Sequence, residues 1–181
     1  MAAESMLISK RNKGLSTPVA RNGLFAYLDT LAIKTTTVDH PATFTVEQSS
    51  GVDLGLPGDH TKNLFLKDDE GALVLVIAKS STKVDLKKLA KRLGAGRFSF
   101  AKPELLQACL GVTPGSVTAF AIMNDQGRRV QVIIDRELEA AVSVNCHPLE
   151  NTATTNIALD DLLRFIRSTG HDLRFMTLTG P

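Results

Sequence analysis

Leu24, Tyr27, Leu28 and Leu31 recur at helical spacing and predict a first helix from Gly23, followed by a strand over the β-branched residues 35–38. Asp39-His40-Pro41 turns the chain. Thr43 or Thr45 is placed to cap a helix reaching about Val52, with Glu47 in its first turn. Residues 51–58 hold three glycines and Pro57, which predicts an exposed loop able to gate a pocket. Two apolar runs, 63–66 and 73–78, flank the acidic turn Asp68-Asp69-Glu70-Gly71 and predict a β-hairpin with Lys62 at its start. Asp85 caps a helix that buries Leu86, Leu89, Ala90 and Leu93 and stops at Gly94. Residues 97–101 read as a short strand. Pro103 then opens a helix whose core positions are Leu105, Leu106, Cys109 and Leu110.

Pro114-Gly115 is the pair favoured at the centre of a type II turn, and it leads into an apolar run, 117–122, read as a strand. A second turn, centred on Gln126-Gly127, precedes the β-branched strand 130–134, and residues 141–144 alternate apolar with polar. The polar block 145–154 follows, at the expected rim of a sheet. Leu159, Leu162, Leu163 and Ile166 form the apolar face of a last helix ending at Gly170, and 173–178 predicts a final strand. The order is mixed α+β and not a repeated βαβ unit.

A chain of 181 residues is enough for one domain with a substantial core. Residues 1–22 lack an apolar period and read as a flexible N-terminal extension, with the domain proper over 23–178. The apolar run 73–78 is far too short to cross a bilayer and no signal-peptide order is present, so no membrane association and a cytoplasmic location are expected. Net charge is only +2, but Lys83, Lys87, Lys88, Lys91, Arg92 and Arg97 crowd one window against Asp85. Such a face is either plainly solvated or suited to a phosphate backbone.

Several chemistries fail on residue pattern. Cys109 and Cys146 have no paired spacing, and Cys109 reads as a small buried hydrophobe. Cys146 and His147 are consecutive and point to opposite sides of an extended chain, which disfavours a dyad. His40, His60, His147 and His171 are scattered, so neither a metal site nor a cofactor is expected. Gly-x-Ser-x-Gly is missing, and the turn at Gly115 lacks the Gly-Lys-Ser/Thr ending of a P-loop. Within the polar block, Pro148 biases His147 towards an extended conformation while Asn151, Thr152 and Thr154 supply neutral hydrogen-bonding groups. Read alone, Lys62 at the head of a buried strand would snorkel to solvent.

Three motifs in order, Thr61-Lys62-Asn63-Leu64-Phe65-Leu66, Gly111-Val112-Thr113-Pro114-Gly115-Ser116-Val117 and Asn145-Cys146-His147-Pro148-Leu149-Glu150-Asn151-Thr152, resemble the YbaK/prolyl-tRNA synthetase editing-domain family. The likeness runs over about 23–178 and is strongest to its freestanding ProX branch. It implies a mixed β-sheet or partly open barrel flanked by helices, and hydrolysis of the aminoacyl ester of mischarged alanyl-tRNA(Pro). Proline-sized pockets discriminate poorly against smaller alanine, because missing methylenes are worth only about 1–3 kcal/mol. A second, smaller pocket removes the error.

On this resemblance Lys62 holds the terminal phosphate or ribose, while Asn63 and His147 orient the adenosine end and the ester. Backbone amides at Gly115 and Ser116 receive the carbonyl oxygen, with Asn145, Asn151 and Thr152 as further substrate contacts. Lys87, Lys88, Lys91 and Arg97 are the expected contacts to the acceptor stem of tRNA(Pro), and prolyl-tRNA synthetase is allowed as a second partner. Where the branch often has proline after the turn, this chain has Ala119, which leaves cysteinyl or seryl specificity open. A module that binds tRNA or synthetase without hydrolysis is the alternative from another class.

Overall fold

Eight strands form one mixed sheet in a computed structural model that describes residues 17–42 and 54–179. The helix expected to end near Val52, and residues 1–16 of the N-terminal extension, lie outside the described residues. Helix α1 (Arg21–Thr30) is followed by β1 (Thr35–Asp39), β2 (Asp59–Lys67), β3 (Leu73–Lys79), α2 (Leu86–Leu93), β4 (Ser99–Phe100) and α3 (Pro103–Leu110). A 3-10 helix (Ala119–Asn124) leads to β5 (Val130–Asp135), a short 3-10 turn (Arg136–Leu138), β6 (Ser143–Cys146), β7 (Ala153–Ala158), α4 (Leu159–Ser168) and β8 (Leu173–Met176).

The sheet runs β1-β7-β6-β2-β3-β5-β8, with β4 beside the far end of β2. Strands β2 and β3 form the expected antiparallel hairpin, in unbroken register from Thr61–Lys79 to Lys67–Leu73. Parallel pairing joins β6 to β2, β3 to β5 and β5 to β8. The sheet is covered on both faces, and β3 shows it. Leu73, Leu75 and Ile77 enter the larger core beneath α1, α3, α4 and the long 3-10 helix. Val74, Val76 and Ala78 face a smaller cluster with Leu89 and Ala90 of α2. A strand buried on both faces reads as a continuous apolar run, which is how this one stands in the sequence.

Local signals explain most boundaries. Asp85 accepts the Lys88 N–H and caps α2, and Gly94, with φ 62°, ends it. Thr113 O accepts the Ser116 N–H at 3.0 Å while Gly115 takes φ 88°, the geometry of the predicted type II turn. Residues 17–20 precede α1, and Val19 is tied to Asn124 by its N–H at 2.7 Å, so the described fold begins ahead of Gly23.

Three expectations need correction. The run 117–122 is not a strand: Thr118 caps the 3-10 helix through the Phe120 N–H, and Ala119, Phe120, Ala121 and Ile122 are all buried. An apolar run with no polar phase fits a helical turn buried on all sides as well as a strand. The strand over 97–101 shrinks to Ser99–Phe100. The strand expected over 141–144 lies at Ser143–Cys146, and β7 arises from residues with no apolar signal. Its polar side chains bond across the sheet, Thr155 to Thr37 at 2.8 Å and Asn156 to Asn145 at 3.0 Å, so Thr155 is buried and Asn156 half-buried without loss.

Candidate functional site

β2 and β6 meet only at Asp59–Val144 and His60–Asn145 before diverging. Gly58 permits the close start: its φ is 86°, and a Cβ there would lie 2.3 Å from the Ser143 carbonyl oxygen. His147 is the first residue beyond the end of β6. Side-chain alternation sorts the neighbours. Val144 and Cys146 enter the larger core, so Asn145 faces the α2 side, as do Thr154 and Asn156 of β7. In β2, Leu64 and Leu66 pack in the α2-side cluster, which places half-buried Lys62 on that same face. Lys62, Asn145 and His147 therefore share one polar stretch of sheet, joined by His40, His60, Thr154 and Asn156.

His147 has a defined tautomer. Its Nδ1 lies 2.9 Å from the Ala153 carbonyl, which can only accept, so Nδ1 carries the proton and Nε2 keeps its lone pair. Burial pushes the ring below the ordinary imidazole value, the bond to Ala153 opposes this, and nearby His40 adds to the depression. The His40 ring centroid is 6.2 Å away. His40 Nδ1 donates to the Pro41 carbonyl at 2.8 Å, so its Nε2 accepts the Thr154 hydroxyl at 2.9 Å. Because the folded-state value of His147 lies below the unfolded 6.5, unfolding takes up a proton beneath that pH. Its share of stability is complete above the unfolded value and lost as pH falls below it. Urea melts at about pH 5.5 and 7.5 should show a smaller pH dependence for His147→Gln than for wild type.

The other predicted residues occupy several different settings. Asn145 is only 3% exposed and both ends of its amide are used: Nδ2 donates to Pro57 O at 3.0 Å, and Oδ1 accepts from Asn156. It straps the chain before β2 to the sheet, and neither end of the amide is left over in the free protein. The Ser116 N–H is spent in its own turn, so it is not a donor for a carbonyl oxygen, and its side chain is buried. Gly115 is exposed at the turn. Asn63 shares the face of Phe65 and not that of Lys62, and its Oδ1 is buried with no partner. Thr152 is exposed and donates to Glu150 at 3.0 Å, while Asn151 is half-buried in the same loop. Glu150 in turn pairs with Arg21, which also holds Asp39, so the start of α1 pins the His147 loop.

Cys146 is buried, and burial pushes its thiol up to about 11, with Thr61 as neighbour. A thiol so held is no nucleophile at neutral pH. The basic window divides: Lys87 and Lys91 are exposed and Lys88 half-buried on α2, whereas Arg92 turns to the Thr177 carbonyl. Arg97 instead lines a groove of about 750 Å³ with Lys67, Lys102 and the exposed ring of Phe100, beside Asp69 and Glu104. Sequence reasoning named Thr154 as a hydrogen-bonding group of the polar block but missed His40 and Asn156 as members of the site. His40 was legible only as part of a turn.

The aminoacyl-tRNA editing domain profile matches residues 40–165, from His40 through the His147 loop into α4. The chain belongs to the aminoacyl-tRNA editing domain family. It is accordingly an aminoacyl-tRNA deacylase, a hydrolase. This editing domain is 33% identical over 160 residues to the prolyl-tRNA editing protein ProX of Acetoanaerobium sticklandii, covering 88% of this chain and 98% of the relative. It is 40% identical over 153 residues to the prolyl-tRNA synthetase associated domain-containing protein 1 of Danio rerio, with 83% of each covered. A solved structure described as a candidate trans-editing enzyme for prolyl tRNA synthetase aligns with TM-score 0.67 and 21% identity, over 88% of this chain and 97% of that one. That likeness is one of fold. Among the described residues no helix is long and apolar enough to cross a membrane, and no three potential ligands cluster for a metal.

Proposed function

We propose that this editing domain acts in trans on alanyl-tRNA(Pro), cleaving the ester between alanine and the terminal ribose. The observation that carries the reading is the neutral His147, its Nε2 lone pair available on the sheet face that also bears Lys62. Water, activated by the neighbouring ribose hydroxyl or by His147, attacks the ester carbonyl. The bond between the acyl carbon and the ribose oxygen breaks, that oxygen takes up the proton removed from the water, and alanine leaves as its carboxylate. Positioning and oxyanion stabilisation suffice for so activated an ester. The high thiol value of Cys146 agrees with a route that uses no protein nucleophile.

Lys62 takes the terminal phosphate or ribose. The Arg97 groove, with Lys67 and Lys102, and the exposed lysines of α2 take the acceptor stem, and prolyl-tRNA synthetase would be the donor of the mischarged tRNA. The names of the two curated relatives support a proline tRNA as substrate. The test is single-turnover deacylation of alanyl-, prolyl- and cysteinyl-tRNA(Pro). Alanyl ester should be cleaved and prolyl ester spared; preference for the cysteinyl ester would move the specificity. Charge reversal at Lys88, Lys91 and Arg97 together should raise KM about tenfold or more at physiological salt with little change in kcat, since phosphate contacts act through charge. An unchanged KM would remove this surface from the tRNA path.

A further inference from the structure

The hydrogen-bond phase of β2 leaves one residue open on its outer edge. Ser80 N–H donates to His60 O at 2.8 Å and Asp68 N–H to Ala72 O at 3.0 Å. The even-numbered residues of β2 thus exchange ladder bonds with β3, and the odd-numbered ones turn their N–H and C=O the other way. On that outer edge the ladder with β6 ends at His60–Asn145. The ladder with β4 begins where Ala101 N–H reaches Phe65 O at 2.9 Å. Asn63 lies between them. Its backbone N–H and C=O face the interval between β6 and β4, where no described strand pairs with it. Its side chain repeats the pattern: Oδ1 is the one buried side-chain polar atom among the described residues without a hydrogen-bond partner.

A buried acceptor left unmatched destabilises the free protein and marks a place where a donor is missing. An aminoacyl ester carries an α-ammonium and a carbonyl across one Cα, the same donor and acceptor spacing as one residue of a strand. We propose that the aminoacyl group docks on Asn63 as a single-residue β-bridge. The Asn63 N–H donates to the ester carbonyl oxygen, and the α-ammonium donates to the Asn63 carbonyl and to Oδ1. The ligand then lies in the plane of the split sheet, so Lys62 on one face and Asn63 on the other reach it from both sides. His147, at the end of β6, borders the same interval.

This assignment rests on the deacylase reading and adds a selection rule to it. Backbone pairing ignores the side chain of the amino acid but reads its nitrogen. Alanine offers three N–H donors, whereas the proline ring places Cδ on one of the three positions and restricts the torsion beside it. Prolyl ester keeps the two donors that the bridge uses, so the strand edge selects against it through the fixed torsion of its ring, in addition to pocket size.

The experiment compares alanyl-tRNA(Pro) with lactyl-tRNA(Pro), in which a hydroxyl replaces the ammonium, for wild type, Asn63→Ala and Asn63→Asp. Asn63→Ala should lower cleavage of the alanyl ester about 10- to 100-fold and of the lactyl ester under about threefold, since a charged hydrogen bond is removed only from the first. Asn63→Asp keeps an acceptor and should retain the alanyl preference. Thermal melting should show Asn63→Ala no less stable than wild type, because the lost atom has no partner in the free protein. Equal losses on both esters, or no loss on either, would overturn the bridge. Failure of wild type to cleave any aminoacyl ester would instead overturn the reading on which it rests.

Discussion

Lys62→Ala should slow single-turnover deacylation of alanyl-tRNA(Pro) about 100-fold, the loss of one desolvated charged contact, while the protein stays folded. Lys62 pairs with Ala78 within an uninterrupted antiparallel ladder, one pair in from its Thr61–Lys79 end, so its backbone bonds do not depend on its side chain. It is half-buried beside Leu64, and no ion pair holds its ammonium among the described residues. Truncation therefore removes a methylene stem and a charge but leaves no buried partner stranded. If the ammonium fixes the terminal phosphate or ribose, and the basic surfaces proposed for the acceptor stem supply most of the tRNA affinity, the loss falls on kcat more than on KM. Lys62→Arg should recover only part of the rate, since a planar fork cannot reproduce a compact point charge. A Lys62→Ala protein with the wild-type rate would take this residue out of the site.

The sequence announced the hairpin that carries Lys62 because both its strands are apolar runs separated by an acidic turn. It announced α2 through Asp85 and Gly94, whose capping chemistry is local. β7 was hidden for the opposite reason. Its threonines and asparagine are satisfied by partners on β1 and β6, and no reading of neighbouring residues contains that information. The same limit governs the site. Lys62 and His147 stand out as a lysine on a buried strand and a histidine before proline, yet the tautomer of His147 depends on the Ala153 carbonyl and its depressed basicity on burial. The family likeness implied Asn145 as a substrate contact; in three dimensions both halves of its amide are taken by Pro57 and Asn156. The open edge at Asn63 is a property of ladder phase, visible only once β4 and β6 are known to stop short of each other.

Asp135→Ala should cost about 3–5 kcal/mol of stability, the largest effect expected from a residue outside the reacting groups. Asp135 ends β5, is fully buried and receives three donors. Its Oδ2 accepts the Thr82 hydroxyl at 2.5 Å and the Lys79 N–H at 3.2 Å, and its Oδ1 accepts the Glu137 N–H at 3.1 Å. Alanine would leave the buried Thr82 hydroxyl and the Lys79 N–H unmatched and open a small cavity, so the costs add. The melting temperature should fall by roughly 10 °C for a chain of this size. Asn cannot substitute fully, since its amide nitrogen would face donors on at least one side. The consequence reaches the site through β3: Lys79 pairs with Thr61, next to Lys62, at the open end of the hairpin, and its ammonium holds Asp59 at 2.8 Å, where β2 first meets β6. At low temperature the folded fraction of Asp135→Ala should keep its kcat, and activity should disappear with the melt. A loss of kcat in the folded variant would show that this carboxylate sets the geometry of the β2 edge as well as its stability, whereas an unchanged melting temperature would contradict the assignment of its three bonds.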